Sequence, residues 1–170
     1  MIRRFALASA ILIAAGSAAP AMAGSSSSNI NIGANVVATC TISAVSFGLG
    51  SYDPFATSDL VATTSLTTNC TNGASAVITL GQGANPAEGS TDAAPLRRLN
   101  GGSSSNMLTY QIFKAAPPST EIWGNTTATG VSVTGTGAPV TTTLYARVTA
   151  GQQNVVPGGF IDNVTATISY

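Results

Sequence analysis

Residues 29–38 constrain this chain more than any other stretch. They read Asn-Ile-Asn-Ile-Gly-Ala-Asn-Val-Val-Ala. Ile30, Ile32, Ala34, Val36 and Ala38 fall on one set of alternate positions. Asn29, Asn31, Gly33 and Asn35 fall on the other, and only Val37 breaks the pattern. Period two over ten residues is the signature of a strand with one buried and one wet face. The four serines of residues 25–28 lie directly before it and have no apolar side chain with which to fold. A patterned strand on a loose tether near a chain terminus has two possible homes. It can be the first strand of its own domain, or it can enter the core of a neighbour.

The segment before it reads as an export leader. Arg3 and Arg4 form a positive n-region, residues 5–15 an apolar h-region, and Ala21-Met22-Ala23 an A-x-A cleavage site before Gly24. The apolar run is too short to span a membrane. The sequence around the arginine pair does not complete a twin-arginine signal, so ordinary unfolded export is expected. Residues 1–23 are thus assigned to a signal peptide, and the remainder is long enough for one domain with a sizeable core. The chain has six basic and six acidic residues, and two of the basic ones are Arg3 and Arg4. The processed chain is therefore weakly acidic, with neither a basic patch for nucleic acid nor an acidic tail. Its many Val, Ile, Leu and Thr residues exclude disorder driven by charge.

Cys40 and Cys70 are the only cysteines. In an exported protein they are expected to form a disulfide, worth roughly 3.5 kcal/mol on the chain-entropy model. A zinc site would need more ligands than two cysteines, and the chain has no histidine.

Beyond Cys40 the chain reads as short strands between turns. Residues 41–47 place Ile42, Val45 and Phe47 inward after a slip, and Gly48-Leu49-Gly50 ends the run. Residues 60–70 are rich in Thr and Leu, Asn72-Gly73 is a tight hairpin signal, and residues 76–80 are an apolar run. Residues 81–105 read as a long loop in which Arg97 and Arg98 form a solvated face. Residues 107–114 put Leu108, Tyr110 and Ile112 on one face. Residues 121–124 form a short strand carrying Trp123 in the core, and residues 130–133 form another. Residues 140–149 turn Leu144, Ala146 and Val148 inward and Tyr145 and Arg147 outward. The closing stretch, residues 160–170, alternates again: Phe160, Val164, Ala166, Ile168 and Tyr170 against Ile161, Asn163, Thr165, Thr167 and Ser169. About seven short strands with regular turns and no helical period outside the leader predict an all-β sandwich of immunoglobulin type.

No catalytic set is visible. The acidic residues are scattered, the serines have no histidine base, and no Gly-rich loop leads from a strand into a helix. The expectation is a non-enzymatic protein with no cofactor and no metal.

The C-terminal block Leu144-Tyr145-Ala146-Arg147-Val148, Ala150-Gly151-Gln152, Val156-Pro157-Gly158-Gly159 and Phe160-Ile161-Asp162-Asn163-Val164 carries a family resemblance. Cys40-Thr41-Ile42-Ser43, Phe47-Gly48, Tyr52-Asp53-Pro54, residues 108–113 and Trp123-Gly124 extend it over the processed chain. It resembles the spore coat protein U family, which includes pilin subunits of archaic chaperone–usher pili of the Csu type. Phe160, Ile161 and Ala146 depart from the family's usual residues, at positions without a catalytic role.

The resemblance implies an incomplete immunoglobulin-like sandwich that lacks its last strand, leaving an acceptor groove beside the C-terminal strand. Phe160, Val164, Ala166, Ile168 and Tyr170 would line that groove. The chain ends at Tyr170 with no residues left to cover it, and an open apolar edge is an aggregation hazard. In the family a periplasmic chaperone fills the groove first. At an outer-membrane usher, the N-terminal extension of the next subunit replaces it. Residues 24–39 are then the donor extension, with Ile30, Ile32, Ala34, Val36 and Ala38 as the inserted face, and residues 40–170 are the pilin domain. The implied partners are identical or related subunits, the chaperone and the usher. The implied destination is an extracellular fibre supporting adhesion and biofilm formation. A spore-coat or surface-layer protein of the same family is the alternative. A minor or tip-proximal subunit is a third reading, although tip subunits carry an added binding domain.

Overall fold

The computed structural model describes residues 22–170, so the expected leader lies outside the described residues except for Met22 and Ala23. The chain divides into Met1–Asn35 and Val36–Tyr170. Of the first unit, residues 22–35 are exposed and carry no regular secondary structure.

The second unit is built of eight strands, and there is no helix among the described residues. A five-stranded antiparallel sheet has the order β1 (Cys40–Ala44), β2 (Leu60–Cys70), β7 (Pro139–Val148), β5 (Met107–Phe113), β4 (Arg97–Asn100). A three-stranded sheet has the order β6 (Val131–Thr134), β3 (Ser75–Leu80), β8 (Ala166–Ser169). The inward residues of β2, β5 and β7 meet those of β3 in one core of Leu66, Ile78, Leu80, Leu108, Tyr110, Ile112, Trp123, Leu144, Ala146 and Val148. Alternation in β5 and β7 follows the expected faces, because each of these central strands is held on both sides and presents one side to the core. The Trp123 ring is fully buried, and its Nε1 donates to the Ile78 carbonyl at 2.9 Å, so its one polar atom is satisfied. Cys40 and Cys70 are bonded, tying β1 to the end of β2.

Several expectations from the sequence are corrected. Asn72-Gly73 does form a turn, with Gly73 at a φ of 78° and Ala74 N donating to Thr71 O at 3.0 Å. It joins no hairpin, however: β2 and β3 belong to different sheets, so this turn carries the chain across the sandwich. A second turn meets it there, with Gly73 N on Gly135 O and Gly135 N on Ala74 O; a Cβ on Gly135 would collide with the Thr71 carbonyl. Residues 81–105 are not all loop, since β4 lies within them. Residues 121–124 make only an isolated bridge, between Ile122 and Phe113. The first strand ends at Ala44; Val45 is largely exposed and Phe47 partly so, and neither is buried in the core.

The largest correction concerns Arg97, whose side chain is fully buried and not on a solvated face. Its guanidinium donates to the carbonyls of Leu80 (2.9 Å), Gly81 (2.7 and 2.9 Å) and Trp123 (2.8 Å), fastening β4 of one sheet to the end of β3 in the other. Arg98 stays nearer the surface, on the Asn85 and Pro86 carbonyls. Composition gave no hint of this, because a planar five-donor group is buried only when fixed carbonyls happen to converge on it.

Candidate functional site

The site is the gap between two sheet edges. β1 ends one sheet and β8 ends the other, and each pairs on one side only. The two strands lie beside each other at the disulfide end, where Ile168 packs against Cys40, Cys70 and Ala76. Away from that end they part, and the space between them opens into two adjoining cavities.

The first cavity is about 380 Å³. Ala44 to Phe47 and Leu49 form one wall, and Val164 and Ala166 the other. Its floor is the core itself: Leu66, Leu80, Tyr110, Ile112 and Leu144. The second, about 710 Å³, lies beneath the loops of residues 46–54 and 155–161, with Leu60, Leu108, Val148 and Phe160 in its lining. Both are bordered by Ser46, Phe47, Leu49, Leu99 and Asp162. Apolar side chains of a finished core would not ordinarily look onto open space on this scale.

Asp162 is the polar landmark of the cleft. It occupies an inward position between Phe160 and Val164. Its Oδ1 accepts from Ala84 N at 2.8 Å and from Asn85 Nδ2 at 3.5 Å, and its Oδ2 accepts from Tyr110 OH at 2.7 Å. Gly83 leaves room for this carboxylate, which a Cβ there would strike. Burial, followed by the hydrogen bond to Asp162, raises the Tyr110 phenol far above its ordinary value. Burial lowers Arg97 to about 10, opposed by the nearby Tyr110 and Asp162, so the guanidinium stays charged at neutral pH. Among the described residues every buried side-chain nitrogen or oxygen has a hydrogen-bond partner. The network therefore braces the cleft.

The residues expected to line an acceptor groove are distributed unevenly. Val164 and Ala166 line the first cavity and Phe160 the second. Ile168 is half-buried but borders neither cavity, and it pairs across to Ile78 in β3. Tyr170 is 60% exposed and borders neither. Ile30, Ile32 and Val36 are 84–93% exposed, and Ala34 and Ala38 are exposed too. Residues that the sequence did not mark include Leu49, Leu80 and Asp162. Asp162 had a signal: a lone carboxylate on the inward side of an otherwise apolar alternation.

The other motif residues secure the loops around the cleft. Tyr52 OH donates to Thr149 O at 3.0 Å and accepts from Gln152 N at 2.8 Å. The Gln152 side chain bonds both backbone groups of Thr109. Asp59 caps Ala150 N and pairs with Arg147 at 3.5 Å, and Arg147 stacks over Phe113 at 4.1 Å.

Comparison with known proteins identifies the family and the fold. The family model for the Spore Coat Protein U domain matches residues 26–167. "Protein U" of Myxococcus xanthus is 41% identical over 160 residues, covering 89% of this chain and 88% of that protein. Among solved structures, a similar fold occurs in the CsuC–CsuE chaperone–tip adhesion subunit pre-assembly complex from archaic chaperone–usher Csu pili of Acinetobacter baumannii. The TM-score is 0.55 and the identity 18%, over 79% of this chain and 40% of that one, so this chain spans well under half of its length. A chain in a chaperone–tip adhesin complex of CFA/I fimbriae is more distant, at a TM-score of 0.40 and 14% identity over 76% of this chain and 42% of that one. The fold is an immunoglobulin-like all-β sandwich, and the chain belongs to the spore coat protein U family.

Proposed function

We propose that this chain is the structural subunit of a surface fibre of the archaic chaperone–usher type, polymerising by donor-strand exchange. Residues 29–38 of one subunit add a strand beside β8 of the next and seat Ile30, Ile32, Ala34, Val36 and Ala38 over the exposed core. The observation that carries this reading is a pairing of opposites: a core that opens into a cleft at two sheet edges, and an exposed segment whose sequence alternates as a strand's would. Each buried Ile or Val would contribute roughly 1.5–3 kcal/mol, and main-chain bonds to β8 would satisfy its free edge.

The disulfide and the leader fit export through a periplasm, where a chaperone strand would hold the cleft until an usher exchanged it. The product is a homopolymer at the cell surface that serves adhesion and biofilm formation. A coat or surface-layer role is the second reading, favoured by the 41% identity to Protein U; it would use the same strand exchange. To test exchange, subunits lacking residues 24–38 are mixed with full-length ones. Truncated subunits accept a donor but supply none, so fibres seen by electron microscopy should shorten as their share rises. Unchanged fibre length would refute the proposal.

A further inference from the structure

We propose a contact between copies of this chain that lies apart from the cleft: the outer edge of β6 pairs with the same edge of a second copy. Four strands end the two sheets, β1 and β4 in one and β6 and β8 in the other. β1 and β8 flank the cleft. The edge of β4 is closed by the chain's own loops. Asn100 and Ile161 exchange both backbone bonds, at 2.8 and 3.0 Å. Leu96, just before β4, accepts from Ala87 N at 2.8 Å and gives its N–H to Ser90 Oγ at 2.9 Å. β6 remains. Its residues Val131-Ser132-Val133-Thr134 hold no charge and no proline, and their register on β3 has no bulge. These are the usual devices that protect an exposed edge.

The central strand shows which backbone groups this edge offers. Gly81 N donates to Thr165 O on the β8 side at 2.9 Å, and Leu80 N donates to Gly124 O on the other side at 3.0 Å. Bonding direction alternates along a strand, so Ile78 and Ala76 bond toward β6 while Thr79 and Val77 bond toward β8. Gly135 N on Ala74 O, at 2.7 Å, continues the alternation. Val131 with Ile78 and Val133 with Ala76 are therefore the hydrogen-bonded pairs. Ser132 and Thr134 turn their N–H and C=O groups away from β3, and among the described residues no other backbone group meets them. Their side chains are exposed, whereas Val131 and Val133 are half-buried against the core.

Such an edge fits itself. Placed antiparallel about a two-fold axis, Ser132 of each copy opposes Thr134 of the other, which gives four main-chain bonds with Val133 facing Val133. The flanking residues fix this register. A shift of two positions one way brings in Gly130, whose N–H already goes to Thr126 O at 2.7 Å. A shift the other way brings in Thr136, whose hydroxyl bonds Ala138 where the chain turns at Gly137, with a φ of 75°. With no charge on the edge, a second copy meets no like-charge repulsion. Four residues a side bury far less than the roughly 800 Å² per partner of a stable complex, so a single pair is weak. Copies held in series add such contacts. The strength of the contact thus rests on the fibre reading, and the pairing itself does not.

To test it, full-length Ser132→Cys, Thr134→Cys and the double variant are oxidised with copper–phenanthroline at high protein concentration and run on non-reducing gels. Cys40 and Cys70 are buried and already bonded, so they stay out of the reaction. In this register residue 132 stands about 5.5 Å from residue 134 of the other copy, within disulfide reach. Like residues stand about 9 Å apart, beyond it. The double variant should give covalent dimers at least about tenfold above either single variant. Ser132→Pro removes an N–H that serves no ladder bond, so it should keep the parent's thermal midpoint. Its polymers should lie singly in electron micrographs, where those of the unmodified chain associate side by side. Equal crosslinking from the three cysteine variants, or none from any, would overturn the inference. So would a lowered midpoint in Ser132→Pro, or side-by-side association that survives in it. A chain that never polymerises would count against the fibre reading alone, because the crosslink is read on free chains too.

Discussion

Residues 29–38 and residues 160–170 carry the same period-two pattern, yet their surroundings are opposite. In the second stretch Phe160, Val164, Ala166 and Ile168 are half-buried while Ile161, Asn163, Thr165 and Thr167 are exposed. In the first, both sets are exposed. Alternation thus fixes the faces of a strand and not its partner. Residues 166–169 find β3, where Ile168 pairs with Ile78 and Ala166 with Leu80. Residues 29–38 carry no strand among the described residues, and one edge of β8 is left free in its sheet.

The contrast can be attacked directly at the inward positions. Ile168→Asp puts an unpartnered charge against Cys40 and Ala76 and should destabilise the domain by about 3–4 kcal/mol, read as a fall in the thermal midpoint. Ile32→Asp should leave the midpoint of the isolated subunit unchanged while abolishing polymerisation. Equal loss of midpoint from both would make residues 29–38 an ordinary strand of their own domain and erase the distinction.

The disulfide separates the two regions, and Cys70→Ser should cost about 2–4 kcal/mol, enough to lower the yield of folded subunit severely. Thiol labelling of the denatured wild-type protein should find no free cysteine. Tyr110→Phe should cost about 1 kcal/mol, through the lost bond to Asp162. A cost near zero in chemical denaturation would remove that bond as a brace of the cleft. The smallest effects belong to the outward positions: Thr167→Asp and Asn31→Asp should each stay within about 0.5 kcal/mol. A large effect from either would mean that the faces of that segment are reversed.

Much of the sandwich was legible from residues alone. Residues 140–149 were located by period two, and residues 60–70 by their Thr and Leu content and the turn that follows, because long strands held on both sides leave the clearest composition signal. Cys40 and Cys70 were legible by elimination. What stayed hidden depends on contacts distant in sequence. Asn72-Gly73 announces a turn, but which sheet receives the next strand is set by core packing. Arg97 looks like any surface cation until the carbonyls of residues 80, 81 and 123 are brought together around it. Of the cleft, alternation gave the inward faces of Phe160, Val164 and Ala166, and only the resemblance implied a groove beside them. The opposite wall could not be read, since residues 45–49 approach it as irregular loop.

The central claim is that the core of this domain is finished by a strand from outside it. A subunit lacking residues 24–38 can be compared with the same truncated subunit carrying a copy of residues 29–38 after Tyr170 on a short flexible linker. Size-exclusion chromatography and a melting curve decide between outcomes. If the claim holds, the fused form is a monomer whose midpoint lies at least about 10 °C above that of the truncated form, given the apolar burial that three Ile and Val side chains provide. If the truncated subunit is already a soluble monomer that melts at the same temperature as the fusion, no cleft awaits a strand and the claim is wrong.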